Sequence, residues 1–574
     1  MAKQKSFADR GAICRTLLFL AFSFAITSLP ALAQKVIAKI PVGMDAGHAA
    51  VNSVTNKTYV LNTCGNDPTC ASNGTVTVVD GVTFSTQTVA VGYYPYAIAV
   101  NAVTNKIYVV NNCGNDPLCN AGSNGTVTVI DGVTLFVQSV TVGIRPDALA
   151  IDSVTNKIYV PDNNSANITV IDGATLTTQT VADINRPFAI TVNPVTNKIY
   201  ATNGNGTVTV IDGVTLSTQT IAVGSLPYFV AVNTVTNKVY VANLCGNDPL
   251  CNASSNGTVT VIDGVTLSTQ TVTVGLQPFV LAVNSVTNKT YVANSCGSDS
   301  SCHGNGTVTV IDGVTLSTQT VTVGSGPLDV QVDPVTNKTY TSNVYGSCRT
   351  CGNGTVTVID GDTLSTSQVV VGTAPQHMAV NSLTDRIYVP IVGDNTVSVI
   401  AWPGVARYDS SLKVPLCSLV FRSCDSGPSL LLGRDSMSGG AEPNEPNTIH
   451  NSCADGTAGT FHADESNDRL SLATTNGLDM TQGSIVRVTA TVWVADPAQD
   501  ALDLYYATDA INPAWTLVGT LVPQTSGSQT LTTLLRLRPG PLQAVRANFR
   551  KGGTRSSCSP GQYDDHDDLA FAVR

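Results

Sequence analysis

The chain has 574 residues, more than one compact domain usually holds, with 43% hydrophobic residues, 12% charged ones and a formal net charge of −10. A net charge this acidic, with a pI near 5.0, argues against a nucleic-acid partner, which usually requires a basic face, though it leaves room for a local basic patch. Thr, Val, Asn and Gly are abundant and strong helix formers sparse, so the composition favours strands and turns over helix bundles.

The N-terminus has the pattern of a secretory signal. Lys3, Lys5, Arg10 and Arg15 lead into an apolar core at residues 17–26, and Ala31-Leu32-Ala33 supplies the small residues of a cleavage site. Residues 1–33 are therefore expected to be removed on export. The apolar run is too short for a membrane span, and no transmembrane stretch is expected later. Cysteine usage agrees with export: of 15 Cys, Cys14 leaves with the signal, and an even 14 remain to pair in an oxidising compartment.

From residue 54 onward the chain repeats itself. Versions of Val-Thr-Asn-Lys start at Val54, Val103, Val154, Val195, Val235, Val286, Val335 and Leu383, spaced 49, 51, 41, 40, 51, 49 and 48 residues apart. A period of ~40–50 residues in strand chemistry belongs to a propeller or array. One unit parses into four strands, at 97–101, 107–111, 126–131 and 137–142, which is the make-up of one propeller blade. Asn-Gly steps at Asn73, Asn124, Asn205, Asn256, Asn305 and Asn353 mark the turns before third strands. The third-strand pattern occurs eight times, but the fourth follows it only seven times. The segment 36–43 matches the missing copy. The mature N-terminus is therefore expected to complete the last blade, giving an all-β, eight-bladed propeller over 34–402 with no free edge.

At Tyr59-Val-Leu-Asn62, Tyr108-Val-Val-Asn111, Tyr240-Val-Ala-Asn243 and Tyr291-Val-Ala-Asn294 the chain resembles YVTN-type β-propeller repeats. Those occur in bacterial and archaeal secreted and surface-layer proteins. The resemblance covers 36–400 and implies a fold without an assigned reaction. It lapses at Tyr159-Val-Pro-Asp162 and Tyr388-Val-Pro-Ile391, where the fourth residue is not Asn.

Residues common to every repeat are expected to serve the fold. Lys57, Lys106, Lys157, Lys198, Lys238, Lys289, Lys338 and Arg386 open the second strands. Asp80, Asp131, Asp172, Asp212, Asp263, Asp312 and Asp360 close third strands, so the two sets read as cross-strand ion pairs worth ~0.2–1 kcal/mol each. Five repeats carry a pair of cysteines between these strands: Cys64 with Cys70, Cys113 with Cys119, Cys245 with Cys251, Cys296 with Cys302, and Cys348 with Cys351. Each pair reads as a local disulfide clamping a loop, worth roughly 2–3 kcal/mol.

Function is sought where the repeats differ. Aligned on the Pro after Val-Gly, the starts of the first strands carry Asp329, His377 and His48 in repeats seven, eight and one, which are consecutive in a closed ring. They form a candidate metal or ligand cluster at the channel mouth, or else a brace at the closure seam. One position earlier stand Tyr96, Phe188, Tyr228 and Phe279, beside Asp147 and Gln376, as a binding rim or as filler between blades.

After residue 400 the repeat stops. Residues 403–416 read as a polar linker and 417–574 as a jelly-roll-like β-sandwich module, with alternating runs at 485–494, 502–506, 515–522 and 544–549. Asn451-Ser-Cys-Ala-Asp-Gly456, His462-Ala-Asp-Glu-Ser-Asn-Asp468 and Tyr563-Asp-Asp-His-Asp-Asp568 are similar to modules appended to secreted bacterial peptidases, which implies an accessory role. Asp464, Glu465, Asp468, Asp564, Asp565, Asp567 and Asp568 are hard oxygen ligands suited to calcium, or else solvated acidic turns. Trp493 faces outward among Arg487, Thr489 and Thr491, placed to stack on a sugar or a partner. Cys417, Cys424, Cys453 and Cys558 allow three pairings.

No nucleophile elbow, phosphate loop, dinucleotide fingerprint or HExxH motif occurs. The expectation is a secreted or surface-associated, non-enzymatic binding or adhesion protein whose loop-rich face meets a protein or polysaccharide at the cell surface. Two alternatives stand beside it. One is a hydrolase or lyase working at the channel mouth through His48, Asp329 and His377. The other is a carbohydrate-binding protein acting through the C-terminal module.

Overall fold

The computed structural model describes residues 34–574 except 82, 183, 253–254, 347–351, 402–403, 419, 428–429, 432–445, 459 and 477. The expected signal segment lies outside the described residues. So do Cys348 and Cys351, and the structure describes no disulfide between them; four of the five expected loop disulfides are described, and the fifth is not.

The repeats form eight four-stranded antiparallel sheets of the propeller-blade type. Sheet 2 runs Pro95–Asn101, Lys106–Asn111, Asn124–Asp131 and Val137–Ile144, close to the sequence parse. Second and third strands are buried on both faces, whereas fourth strands such as Thr269–Thr273 bury only a single Val. That is why the Thr-Gln-Thr of the fourth strand is polar. Eight equivalent tyrosines (Tyr59, Tyr108, Tyr159, Tyr200, Tyr240, Tyr291, Tyr340, Tyr388) are 0% exposed and wedge between one sheet and the next. Tyr108, for example, packs with Ile158 and Val160 of sheet 3.

The N-terminal strand Lys35–Pro41 pairs antiparallel with Thr396–Ala401 and completes sheet 8, as expected. Ile40 and Tyr388 of that sheet share a core with Ala46, Val60 and Val79 of sheet 1. Close approach between sheets also explains the Gly at or just after the end of the fourth strand in seven of the eight sheets, sheet 3 having none there. A Cβ on Gly92 would lie 2.6 Å from Gly114 O and 2.7 Å from Asn111 Cγ.

The recurring lysines require a correction. Each is the cross-strand neighbour of its Asp, as in Lys106↔Asp131. Five of the ammonium groups nevertheless reach past that Asp to a glycine carbonyl of the next sheet: Lys57 to Gly132, Lys106 to Gly173, Lys157 to Gly213, Lys238 to Gly313 and Lys289 to Gly361, at 2.6–3.1 Å. Lys338 does pair with Asp360, and Lys198 lies 4.0 Å from Asp212. The reason is competition. Asp131 Oδ1 already accepts the N–H groups of Val133 and Thr134 and the Thr134 hydroxyl, while the neighbouring carbonyl needs a donor. Arg386 of sheet 8 donates in the same manner to Gly81 O of sheet 1. Parallel to these ties run Asn–Asn hydrogen bonds such as Asn101 Nδ2 to Asn156 Oδ1 (3.0 Å) and, from sheet 8 to sheet 1, Asn381 Nδ2 to Asn56 Oδ1 (2.9 Å).

The stretch expected as a linker also needs correction. Arg407–Asp409 and Val414–Cys417 are strands, the second running parallel to Asp565–Ala572 in a six-stranded mixed sheet. Facing it is a four-stranded sheet built on Ser466–Thr474, Ile485–Val494 and Gly527–Arg536. Val486, Val488, Ala490, Val492 and Val494 fill the core against Leu502, Leu504 and Phe549 of the larger sheet. The open cysteine pairings resolve as Cys417–Cys424 and Cys453–Cys558. Among the described residues, no helix is long and apolar enough to cross a membrane.

Candidate functional site on the loop-rich face

In sheet 2 the connection into the sheet lies against its disulfide loop. Tyr93 N–H donates to Gly114 O at 2.8 Å, and Asn112 N–H to Tyr94 O at 2.9 Å. Disulfides Cys64–Cys70, Cys113–Cys119, Cys245–Cys251 and Cys296–Cys302 close four such loops; the loop of sheet 7, with Cys348 and Cys351, falls outside the described residues. Inside the second loop, Asp116 accepts the Leu118 and Asn120 N–H groups at 2.9 Å and the Ser123 hydroxyl at 2.6 Å. Those bonds, the Ser123 one foremost, hold its carboxyl well below the usual range. Asp67, Asp248 and Asp299 play the same part. The face is thus ordered before any ligand arrives.

His48, Asp329 and His377 do come together. The Asp329 carboxylate, 1% exposed, accepts Met378 N–H at 2.7 Å and lies 3.2 Å from Gln331 Nε2 through both oxygens. His377 Nδ1 is 3.7 Å from Asp329 Oδ1, and its ring stacks on His48 at 4.1 Å. Burial, helped by His377, holds the His48 imidazole well below its ordinary range, so the ring is neutral at pH 7. The backbone joins the two sheets as well: Ala49 N–H donates to His377 O, and His377 N–H to Gly47 O, both at 3.1 Å. The lone pairs of Asp329 are already engaged, and among the described residues no three His, Cys, Asp or Glu side chains are arranged to hold a metal ion. These contacts link sheets 7, 8 and 1 at one point.

The aromatic residues form a separate arc. Phe188 and Tyr228 lie 4.6 Å apart and tilted, and Tyr228 meets Phe279 edge-on at 4.9 Å, on sheets 4, 5 and 6. Tyr96 is 44% exposed and 6.1 Å from the His48 ring. Between the two groups sits Asp147, its side chain only 4% exposed, with Oδ1 3.6 Å from Arg145 Nε and 3.4 Å from Asn112 Nδ2. Asp147 Oδ2 has no partner. Burial raises the Asp147 carboxyl above the usual range despite Arg145. Burial, then the charge of Asp147, also raises the Tyr96 phenol. Tyr228 is pushed up to about 12 by burial, then by Tyr96 and Asp147. Side chains from sheets 2, 3 and 5 therefore share one electrostatic field across the mouth.

Sequence reasoning sets Asp147 beside the aromatics without assigning it a role. A signal is available in Val-Pro-Asp162 and Val-Pro-Ile391. Pro161 and Pro390 have no N–H to give a neighbouring strand. The first strands beside them shrink to Ala150–Asp152 and Ala379–Asn381, three residues each, against seven in Pro95–Asn101. The segments that carry Asp147 and His377 are held to these strands by fewer bonds: Asp147 N–H donates to Pro161 O at 3.4 Å and Gln376 N–H to Pro390 O at 2.9 Å.

In the C-terminal module the seven carboxylates have separate surroundings. Asp568 makes a two-point ion pair with buried Arg546 at 2.7 Å. Asp565 accepts Asn467 N–H, Asp564 accepts the Ser559 hydroxyl, and Asp468 lies 3.0 Å from His462 Nε2. Asp464 is 3.9 Å from Lys551 Nζ, while Glu465 and Asp567 are fully buried. On the acidic strand itself, Asp568 is the carboxylate that meets a cation, Arg546. Trp493 does face outward, but one ring face is covered by His462 at 4.4 Å, which in turn stacks on Phe461.

One constellation has no counterpart in the sequence reading. Ser559, His566 and Asp455 lie together in serine-hydrolase fashion, with Ser559 Oγ 3.4 Å from His566 Nε2 and His566 Nδ1 3.7 Å from Asp455. The roles are wrong for a triad. Nε2 accepts Ser559's own N–H, the Ser559 hydroxyl donates to Asp564, and the imidazole is 0% exposed.

No family model matches the chain, and no curated protein matches it. Among solved structures it is similar to Kuenenia stuttgartiensis hydrazine synthase, at 15% identity over 54% of this chain and 95% of that one, with a TM-score of 0.41. It is also similar to dihydro-heme d1 dehydrogenase NirN in complex with DHE, at 13% identity over 58% and 67% of the two chains, TM-score 0.43. Neither likeness is close enough to carry an inference about chemistry.

Proposed function

We propose that the protein is an exported, non-enzymatic binding protein. In this reading YVTN-type blades close into one eight-bladed propeller, and the mouth of its loop-rich face takes the ligand. The observation that carries it is the start of the first strand. Elsewhere the repeats are nearly verbatim, yet here they present an aromatic arc, a buried carboxylate with one unpartnered oxygen, and a polar seam. Closure is supported by the pairing of Lys35–Pro41 with the last repeat and by contacts from sheet 8 to sheet 1 of the kind joining other neighbours. Export is supported by the leader pattern and by six disulfides among the described residues, a usage of oxidising compartments. Binding is favoured over turnover because Asp329 is spent on Met378 and Gln331, and the half-buried His48 ring is stacked on His377 with its imidazole held well below the ordinary range.

The test is co-sedimentation of purified protein with bacterial cell envelopes, comparing wild type with Tyr96→Ala and Tyr228→Ala. Retention lost in both variants at unchanged melting temperature supports the reading. Equal retention of all three proteins, or none by the wild type, overturns it.

A further inference from the structure

We propose that the ligand taken at the channel mouth is a neutral carbohydrate, held between the Phe188–Tyr228–Phe279 arc and the Asp147–Arg145 pair. The proposal rests on the mouth being the binding site and adds the chemical class. Three observations narrow the choice. First, Asp147 Oδ2 is an acceptor without a donor on a side chain that is 4% exposed, so a ligand hydroxyl placed there removes a desolvation cost the free protein carries. Second, Arg145 stands 3.6 Å from the other oxygen, its own side chain 57% exposed, so donor and acceptor lie side by side. Vicinal hydroxyls fit such a pair because each donates and accepts. Third, Phe188, Tyr228 and Phe279 pack into one arc and each stays half-buried, so part of the aromatic surface is open, and the C–H face of a pyranose packs on an aromatic ring.

Charge excludes the obvious competitors. An anion meets the carboxylates of Asp147 and Asp329 on a chain of net charge −10. A cation must displace Arg145, which already neutralises Asp147. A purely apolar ligand leaves Asp147 Oδ2 unpaired and so gains nothing from that acceptor. A neutral polyol with an apolar face meets none of these penalties. The site also differs from Trp493 of the C-terminal module, where His462 occupies one ring face.

The experiment is affinity electrophoresis of the full-length protein in gels containing dextran, mannan, xylan or laminarin, together with envelope co-sedimentation after periodate or protease treatment of the envelopes. Retardation is expected in at least one polysaccharide, weakened about tenfold or more by Asp147→Ala and by Tyr228→Ala. Tyr228→Phe, which keeps the ring, should retain binding, and melting curves separate lost binding from lost folding. Periodate, which cleaves vicinal diols, should abolish co-sedimentation. Binding that survives periodate but is lost after protease overturns the carbohydrate assignment and leaves the mouth as a site for protein. Polysaccharide binding that Asp147→Ala and Tyr228→Ala leave intact overturns the placement at the mouth as well.

Discussion

Replacing Asp162 by Asn should stabilise the protein, and by an amount that grows with pH. Six second strands end in an Asn whose amide donates to two threonine hydroxyls of the third strand at 2.8–3.1 Å, from Asn62 to Thr75 and Thr77 through Asn343 to Thr355 and Thr357. Sheet 3 has Asp162 there, fully buried, accepting the Thr169 hydroxyl at 2.6 Å through Oδ2, with Oδ1 unpartnered. Burial outweighs the hydrogen bonds from Thr169 and Gly143 and pushes the carboxyl from 3.8 up to about 7. The folded state then binds a proton that the unfolded chain releases near pH 4. Stability contributed by the protonated acid is full below that pH and is lost as pH rises through 7. Three pH units at ~1.4 kcal/mol each set a ceiling of about 4 kcal/mol on the loss. The amide never ionises. The urea midpoint of Asp162→Asn should match wild type at about pH 3 and exceed it by a margin that grows up to about pH 8 and then levels off. Other titrating groups are common to both proteins and cancel in the difference. A pH-independent difference, or a wild type that is the more stable at high pH, would refute the assignment.

Four further outcomes are expected. Replacing Cys113 and Cys119 by Ser should cost about 2 kcal/mol and removing Cys453–Cys558 about 5 kcal/mol, because the linked residues are 6 and 105 positions apart; equal melting shifts would contradict the chain-entropy account. Deleting 34–43 should expose the Thr396–Ala401 edge and cause aggregation on light scattering, and an unchanged melting profile would refute ring closure. Arg546→Met leaves Asp568 buried without its ion-pair partner and should cost about 3–5 kcal/mol, read from the denaturant midpoint of the full chain. Pro390→Ala restores a donor beside the first strand of sheet 8 and should speed hydrogen exchange at the Ala49 amide, which in the native protein bonds to His377 O; unchanged protection would break that link.

The blades are legible because the chain states the same local chemistry eight times. A period near 40–50 residues, Asn-Gly turns and a missing fourth strand recovered at the N-terminus amount to a count of strands, which needs no knowledge of distances. Side-chain direction is not legible. Lys106 and Asp131 are cross-strand neighbours as read, yet the ammonium crosses to Gly173 of the next sheet because Asp131 is occupied by its own turn. Pairing within a sheet follows from register. Pairing between sheets depends on which acceptors remain unsatisfied after each hairpin has closed, and no single repeat contains that information. The linker reading fails for a related reason: residues 414–417 find their partner in the strand Asp565–Ala572, roughly 150 positions away, where no local pattern points.

The candidate site is half legible, and the missing half traces to two prolines. In sheet 2 the first strand pairs continuously from Ala97 to Asn101, and its opening residues are consumed by the ladder. In sheets 3 and 8 the opposing residue is Pro161 or Pro390, whose nitrogen cannot donate, so the ladder starts only at Ala150 or Ala379. The released groups find other partners. His377 O takes Ala49 N–H and its amide bonds Gly47, which builds the seam with sheet 1. Asp147 turns its carboxylate toward Arg145 and Asn112 and is left with one oxygen unpaired. Beside Pro390 the strand start bonds to sheet 1, and beside Pro161 it carries the Asp147–Arg145 pair. Departures from the Val-X-Asn ending look like wear on the repeat, but they mark the two first strands that the chain leaves free to do something other than close a blade.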